Sequence, residues 1–226
     1  MARIVLDGVS LAYGERQVLR DVDAVLTERR IGVVGANGSG KSTLARLLNG
    51  LVLPSRGRVS VDGLDTARDG AAVRRRVGFV FTDPDAQIVM PTVAEDVAFS
   101  LRRSPLSRAE RAARVAEALE RCGLDGHADH PAHLLSGGQK QLLALTAVLV
   151  TEPDVLVCDE PTTLLDARNA RRVAQLLAAL PQQLIMVTHH LDHLESFDRV
   201  LVVDDGRLVA DGPPAAALAA YRELVG

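Results

Sequence analysis

Two cysteines in 226 residues, Cys122 and Cys158, are too few and too far apart for a disulfide framework or a metal-binding spacing. Both read as reduced and structural. The chain also lacks a charge surplus. Its 26 basic and 29 acidic side chains leave a net charge of −3, which excludes a global pull towards nucleic acid or anionic lipid. No apolar run approaches the roughly 20 residues that span a bilayer. The longest, Leu142 to Val150, has the length of an ordinary helix. The opening residues, MARIVLDGVS, hold no long apolar core of the kind a secretory leader needs. No repeat, low-complexity linker or clean break divides the sequence. A soluble, cytoplasmic protein is expected, with any membrane role supplied through a partner. With 47% of its residues apolar, the chain is long enough for one large domain, taken as 1–226.

What is present is a set of short apolar runs, Ile31–Val34, Val77–Phe81, Val155–Cys158, Leu184–Val187 and Val200–Val203. They read as buried strands, because parallel strands covered on both faces need no alternation. Helical patterns fall between them at Lys41–Asn49, Ser107–Arg121, Gly137–Leu149 and Ala167–Leu180, and a last helix is expected near Pro214–Leu224. Strand–helix alternation predicts an α/β fold with a parallel sheet core. Arg3 to Leu26 differs: two β-like runs flank a turn at Gly14, which predicts an antiparallel β patch. Residues from about 85 to 135 are mostly helical, and an inserted helical subdomain is expected over about 85–150. Ser107 and Glu110 fit a capping box, and Gly123 is placed to end that helix.

Gly35-Ala-Asn37-Gly38-Ser39-Gly40-Lys41-Ser42-Thr43 lies between a predicted strand and a predicted helix. This is the P-loop pattern in the context it requires. The glycines let backbone N–H groups wrap phosphates, and the helix N-terminus adds partial positive charge. Lys41 supplies a point charge to the terminal phosphates of ATP, and Ser42 a hydroxyl for Mg²⁺. At the end of another apolar run stand Asp159 and Glu160. Ligands bind at that end of strands in open α/β sheets. Asp159 is placed to hold Mg²⁺ through water, and Glu160 to orient and polarise an attacking water.

Leu135-Ser136-Gly137-Gly138-Gln139 opens a helix between those two motifs. The order P-loop, LSGGQ, Asp-Glu-Pro-Thr resembles the nucleotide-binding subunit of ABC transporters over nearly the whole chain. That resemblance implies a P-loop NTPase fold and ATP hydrolysis driving transport. It also implies a head-to-tail dimer, in which Ser136, Gly137, Gly138 and Gln139 of one chain close on ATP held by the other. Within it, Tyr13 corresponds to the aromatic that stacks on adenine and Asp166 to the acid of the loop joining the two sites. His189 corresponds to the switch residue that touches the γ-phosphate. A surface tyrosine and a helix-capping aspartate are the plain alternatives for Tyr13 and Asp166, and a surface residue is the alternative for His189 and for His190, which follows it.

The stretch from Asp83 to Phe99, with its D-P-D-x-Q-I and P-T-V-x-x-D-V-A-F patterns, is similar to the energy-coupling-factor importers of vitamins and transition metals. The resemblance implies docking of a transmembrane coupling subunit on about 83–99, with Ile88, Val89, Met90, Val93, Val97 and Phe99 as apolar anchors; ordinary core packing of a helix is the plain alternative for each of them. A separate substrate-binding membrane subunit and a location on the cytoplasmic face of the membrane follow from the same resemblance. The compact length favours biotin as the cargo, then cobalt or nickel. A soluble scaffold ATPase, as in iron–sulphur cluster assembly, would share every nucleotide motif.

In the family a glutamine that contacts Mg²⁺ follows V-G-x-V-F; here the position is Thr82, and Gln87 matches a downstream glutamine. Thr82 either reaches Mg²⁺ through a water or only begins the Thr-Asp-Pro turn. Arg74–Arg76 and Arg102–Arg103 read as solvated faces with no nucleic-acid role. His127, His130 and His133, interrupted by Pro131, read as loop residues.

Overall fold

An antiparallel hairpin opens the chain. Strands β1 (Ile4–Tyr13) and β2 (Arg16–Leu26) turn at Gly14, whose φ of 59° suits glycine. The computed structural model describes residues 1–226, and two further strands complete this sheet: β4 (Arg56–Val61) and β5 (Leu64–Asp65), in the order β2-β1-β4-β5. The five apolar runs become β3 (Arg30–Val34), β6 (Val77–Val80), β7 (Val155–Asp159), β8 (Gln183–Val187) and β9 (Arg199–Asp204). With β10 (Arg207–Gly212) they form a second sheet of order β10-β9-β3-β8-β7-β6. The pairs β9–β3, β3–β8 and β8–β7 are parallel, and β10 closes the edge antiparallel to β9. Every residue of β7 and β8 is buried, in keeping with their unbroken apolar runs.

The chain divides into two compact units. The first comprises Met1–Phe79, Asp154–Glu160 and Pro181–Gly226. It contains helices α1 (Lys41–Leu48), α2 (Gly70–Arg76) and α7 (Pro214–Val225). Leu44, Leu47 and Leu48 of α1 are buried, each side chain stabilising the unit by about 1.5–3 kcal/mol. The second unit comprises Val80–Pro153 and Pro161–Leu180, with helices α3 (Val93–Ser100), α4 (Arg108–Cys122), α5 (Gly137–Leu149) and α6 (Ala167–Ala179). Thr92–Glu95, Ser107–Glu110 and Ser136–Gln139 form full capping boxes on α3, α4 and α5. Asp166 caps α6, and Gly123 ends α4 in the left-handed region. No helix is long and apolar enough to cross a membrane.

Three elements escape a search for apolar runs. β4 reads Arg-Gly-Arg-Val-Ser-Val, with only Val59 and Val61 as buried hydrophobics. Gly57 there takes φ 77°, and a Cβ on it would lie 2.4 Å from the Asp7 carbonyl oxygen of β1. β10 alternates half-buried and exposed residues, the pattern of an edge strand. α2 has one buried side chain, Val73, and three exposed arginines. The apolar anchors expected along 83–99 also divide: Val93 and Val97 are 0% exposed and belong to the core of α3, while Val89 is 62% exposed. The helical period turns one side of α3 inward, so only part of the stretch is left as surface.

Candidate functional site

The loop from Gly35 to Gly40 leaves β3 and enters α1. Gly35 is buried where a Cβ would lie 2.2 Å from the Val203 carbonyl oxygen and 2.5 Å from Ser39 Oγ, so no larger residue fits. Gly38 and Gly40 take φ of 82° and 105°, open to glycine at little cost. Ala36, Asn37 and Gly38 are exposed at the loop crest. The start of α1 has no side-chain cap, whereas α3, α4, α5 and α6 are all capped by side chains, and its first turn holds no acidic residue. Uncapped amides at a helix start are suited to an anion. Ser39 Oγ is buried without a hydrogen-bond partner, a polar atom that a ligand would satisfy.

Lys41 is 6% exposed, and its Nζ donates to the Ala36 carbonyl oxygen at 3.2 Å. Ser42 Oγ donates to Asp159 Oδ1 at 2.8 Å, which joins the start of α1 to the end of β7. Asp159 is 1% exposed. Burial pushes its carboxyl up, against the opposing pull of the Ser42 bond, Arg46 and Lys41. Arg46, one turn along α1, lies 3.8 Å from the other carboxylate oxygen. Ser42 hydroxyl and Asp159 carboxylate form a hard, all-oxygen pair of the type Mg²⁺ takes. Thr43 follows in the same turn, half-buried.

Glu160 takes φ 51°, an uncommon conformation for a residue with a side chain and one that clusters at functional sites. Its N–H donates to the Val187 carbonyl oxygen of β8 at 2.9 Å. Its carboxylate meets His189 Nδ1 at 2.8 Å. An ionised carboxylate only accepts, so this contact puts the proton on Nδ1. The His190 ring packs against that of His189 at a tilt of 36°, with centroids 4.2 Å apart. Thus the P-loop, Asp159, Glu160 and His189 converge in one unit, at the ends of three adjacent strands. Tyr13 belongs to the same unit, at the end of β1, and its ring is 54% exposed.

The remaining expected residues belong to the second unit. Ser136 and Gln139 cap α5 reciprocally: Gln139 Oε1 accepts from Ser136 N–H at 2.9 Å, and Ser136 Oγ from Gln139 N–H at 3.4 Å. The Gln139 amide nitrogen also meets His127 Nε2 at 2.8 Å. The two glycines between them differ. A Cβ on Gly138 would lie 2.3 Å from Asn169, whereas one on Gly137 would meet nothing within 4 Å. Asn169 in turn donates through Nδ2 to Asp166 Oδ2 at 2.7 Å, and its backbone N–H to Oδ1 at 2.9 Å. The Asn169 N–H and side chain hold the Asp166 carboxyl below the usual range. Asn169 was not singled out from the sequence; its place three residues after an N-cap aspartate is the signal that marks it.

Thr82 is half-buried just beyond β6. Asp83 Oδ1 accepts from Asp85 N–H at 2.9 Å and caps the turn that follows. Gln87 binds inward: its Oε1 accepts from Phe81 N–H at 3.2 Å and its Nε2 donates to the Ala144 carbonyl oxygen of α5 at 3.1 Å.

A family model described as ABC transporter matches residues 9–163. A protein of Deinococcus radiodurans, whose name goes no further than ABC transporter ATP-binding protein, is 60% identical over 97% of each chain. The biotin transport ATP-binding protein BioM of Rhizobium etli is 48% identical over 98% of each. The cobalt import ATP-binding protein CbiO of Syntrophus aciditrophicus is 42% identical over 96% of this chain and 75% of its own. Among solved structures, CbiO1 of Clostridium perfringens, part of the ABC transporter complex cbiONQ, is similar with a TM-score of 0.84. It is 33% identical, over 98% of this chain and 92% of that one.

Proposed function

This chain belongs to the ABC transporter family, as an ATP-binding ATPase subunit with the P-loop NTPase fold, and on that footing we propose that it drives biotin uptake. The importer is of the energy-coupling-factor type. The observation that carries the reading of the site is the pair of 2.8 Å contacts, Ser42 to Asp159 and Glu160 to His189, beside an uncapped helix start.

ATP phosphates replace the missing cap of α1, held by backbone N–H groups from Gly35 to Thr43. Lys41 leaves the Ala36 carbonyl for the terminal phosphates, and Tyr13 stacks on the base. Ser42 and Asp159 would hold Mg²⁺, Thr82 at most through a water; the ion neutralises phosphate charge when bound. Glu160 orients and polarises the attacking water, and the His189 contact fixes the direction of its carboxylate. For His189 to donate to the γ-phosphate as well, its second ring nitrogen must also carry a proton.

Ser136, Gly137, Gly138 and Gln139 serve the ATP of a second copy of the chain, in a head-to-tail homodimer. The open space at Gly137 supports this: nothing within the chain requires glycine there, so an incoming ligand accounts for it. Asp166, tied to Gly138 through Asn169, sits where one site can report to the other. A transmembrane coupling subunit docks on the exposed part of 83–99, at the cytoplasmic face of the membrane, and a separate membrane subunit binds the cargo. The 48% identity to a biotin ATPase favours biotin, and the 42% identity to a cobalt ATPase makes that ion the second reading.

The test is co-expression with a transmembrane coupling subunit and a biotin-binding membrane subunit of the energy-coupling-factor type. Membranes carrying the complex should accumulate labelled biotin when ATP is supplied. Substituting Val89 or Met90 with Asp should abolish recovery of the membrane subunit. Accumulation of cobalt alone would overturn the biotin reading. Recovery of soluble partners only would favour a scaffold.

A further inference from the structure

Asp85 is in two places at once. It lines a cleft of about 330 Å³ with Ile88, Val89, Met90 and His133, on the segment proposed to receive the membrane subunit. Its carboxylate also takes both contacts from Lys140 Nζ, at 2.7 and 3.1 Å. Lys140 lies on α5 four residues after Ser136, about 6 Å along the helix axis. The pair is partly exposed, with Lys140 at 18% and Asp85 at 64%. Pairs of that exposure contribute little to stability, so their effect is on geometry.

Two amides reinforce the same junction. Gln87 spans Phe81 N–H and the Ala144 carbonyl oxygen, and Gln141 Nε2 donates to the Phe81 carbonyl oxygen at 3.4 Å. Lys140, Gln141 and Ala144 share one face of α5. That face is bonded to the docking segment, while the N-terminus of the same helix presents Ser136 and Gly137. Asp96, 3% exposed, stiffens the rest of the segment by accepting from Val89 N–H and Met90 N–H at 2.8 and 3.0 Å.

We infer that the Asp85–Lys140 ion pair ties the signature helix to the docking segment, which makes Lys140 a positioning residue for transport-coupled hydrolysis. A subunit that displaces the cleft then displaces the start of α5 with it. The coupling role rests on the importer reading; the tie itself does not.

The experiment therefore has two arms. In the chain alone, Lys140→Ala should raise amide hydrogen exchange at least threefold both in 83–88 and in 137–141. A rise confined to 83–88 would overturn the tie. In the assembled complex, Lys140→Ala should lower uptake per ATP hydrolysed at least fivefold, with membrane-subunit recovery unchanged. Adding Asp85→Lys to Lys140→Asp should restore at least half of the uptake that Lys140→Asp loses. Uptake equal to wild type in Lys140→Ala, or no rescue by the exchanged pair, would overturn the coupling role. Should the wild-type chain drive no uptake, the importer reading falls, while the exchange arm still decides the tie.

Discussion

Glu160 combines a strained backbone with a carboxylate aimed by an imidazole, which makes it the residue whose replacement separates binding from chemistry. Glu160→Gln keeps the shape and removes the proposed base; hydrolysis should fall roughly 10²–10⁴-fold. ATP should then hold the chain as a dimer on size exclusion, and a persistent monomer would count against its assigned role. At Thr82 the usual glutamine is replaced by a short, stiff side chain. Thr82→Gln should shift the Mg²⁺ concentration at half-maximal ATPase rate in the complex; identical titrations would leave Thr82 as a turn residue. Asp65 gives a pH test away from the site. The Ala67 N–H at 2.8 Å, then the Arg68 N–H and Arg58 guanidinium, hold its carboxyl below the ordinary value of 3.8 against the effect of burial. A depressed value means stability present above about pH 4 and lost as pH falls through the folded-state value. Asp65→Asn should therefore lower Tm at pH 7, and by thermal unfolding that deficit should shrink as pH falls below about 4. Lys41, Ser42, Asp159, Glu160 and His189 could be picked out from sequence because each sits at a fixed offset from a strand end. The approach of Asn169 to Gly138 and the bond from Gln87 to Ala144 could not, because those partners lie far along the chain and are chosen by packing.

At the scale of elements, α5 carries two adjacent glycines with different reasons to exist. Gly138→Ala drives a methyl into Asn169 and should lower Tm as well as ATPase rate. Gly137→Ala adds a methyl to open space: Tm and nucleotide affinity of the isolated chain should hold, while hydrolysis falls at least tenfold. A drop in Tm equal to that of Gly138→Ala would remove the argument that Gly137 is kept for a ligand. The five runs that became β3, β6, β7, β8 and β9 were readable because parallel strands bury both faces. β4 and β10 were not, since each belongs half to solvent and draws its order from a neighbour. The division of 83–99 into core and surface followed the same rule: Val93 and Val97 look no different from Val89 until the turn of α3 decides which way they face.

At the scale of the molecule, the proposed head-to-tail pair would work by a difference in binding between two states. Moving a dimer from mostly open to mostly closed takes roughly 5.5 kcal/mol of differential affinity. Charge-assisted bonds of about 1.5–3 kcal/mol each, made to a γ-phosphate in each of two sites, are of the right size. ADP lacks that group, so in the proposed pair hydrolysis would release the closed state. The P-loop and the LSGGQ helix start lie on the same chain yet serve different nucleotides in the proposed pairing. Two broken chains should therefore mend each other. Lys41→Ala alone and Gly137→Ala alone each leave one fault in both sites. In a mixed pair, both faults fall in one site and the other is whole. Random mixing makes half of all pairs mixed, so about a quarter of the sites should be intact and hydrolysis should reappear on blending two inactive preparations. A self-contained site in each chain would stay silent at every ratio.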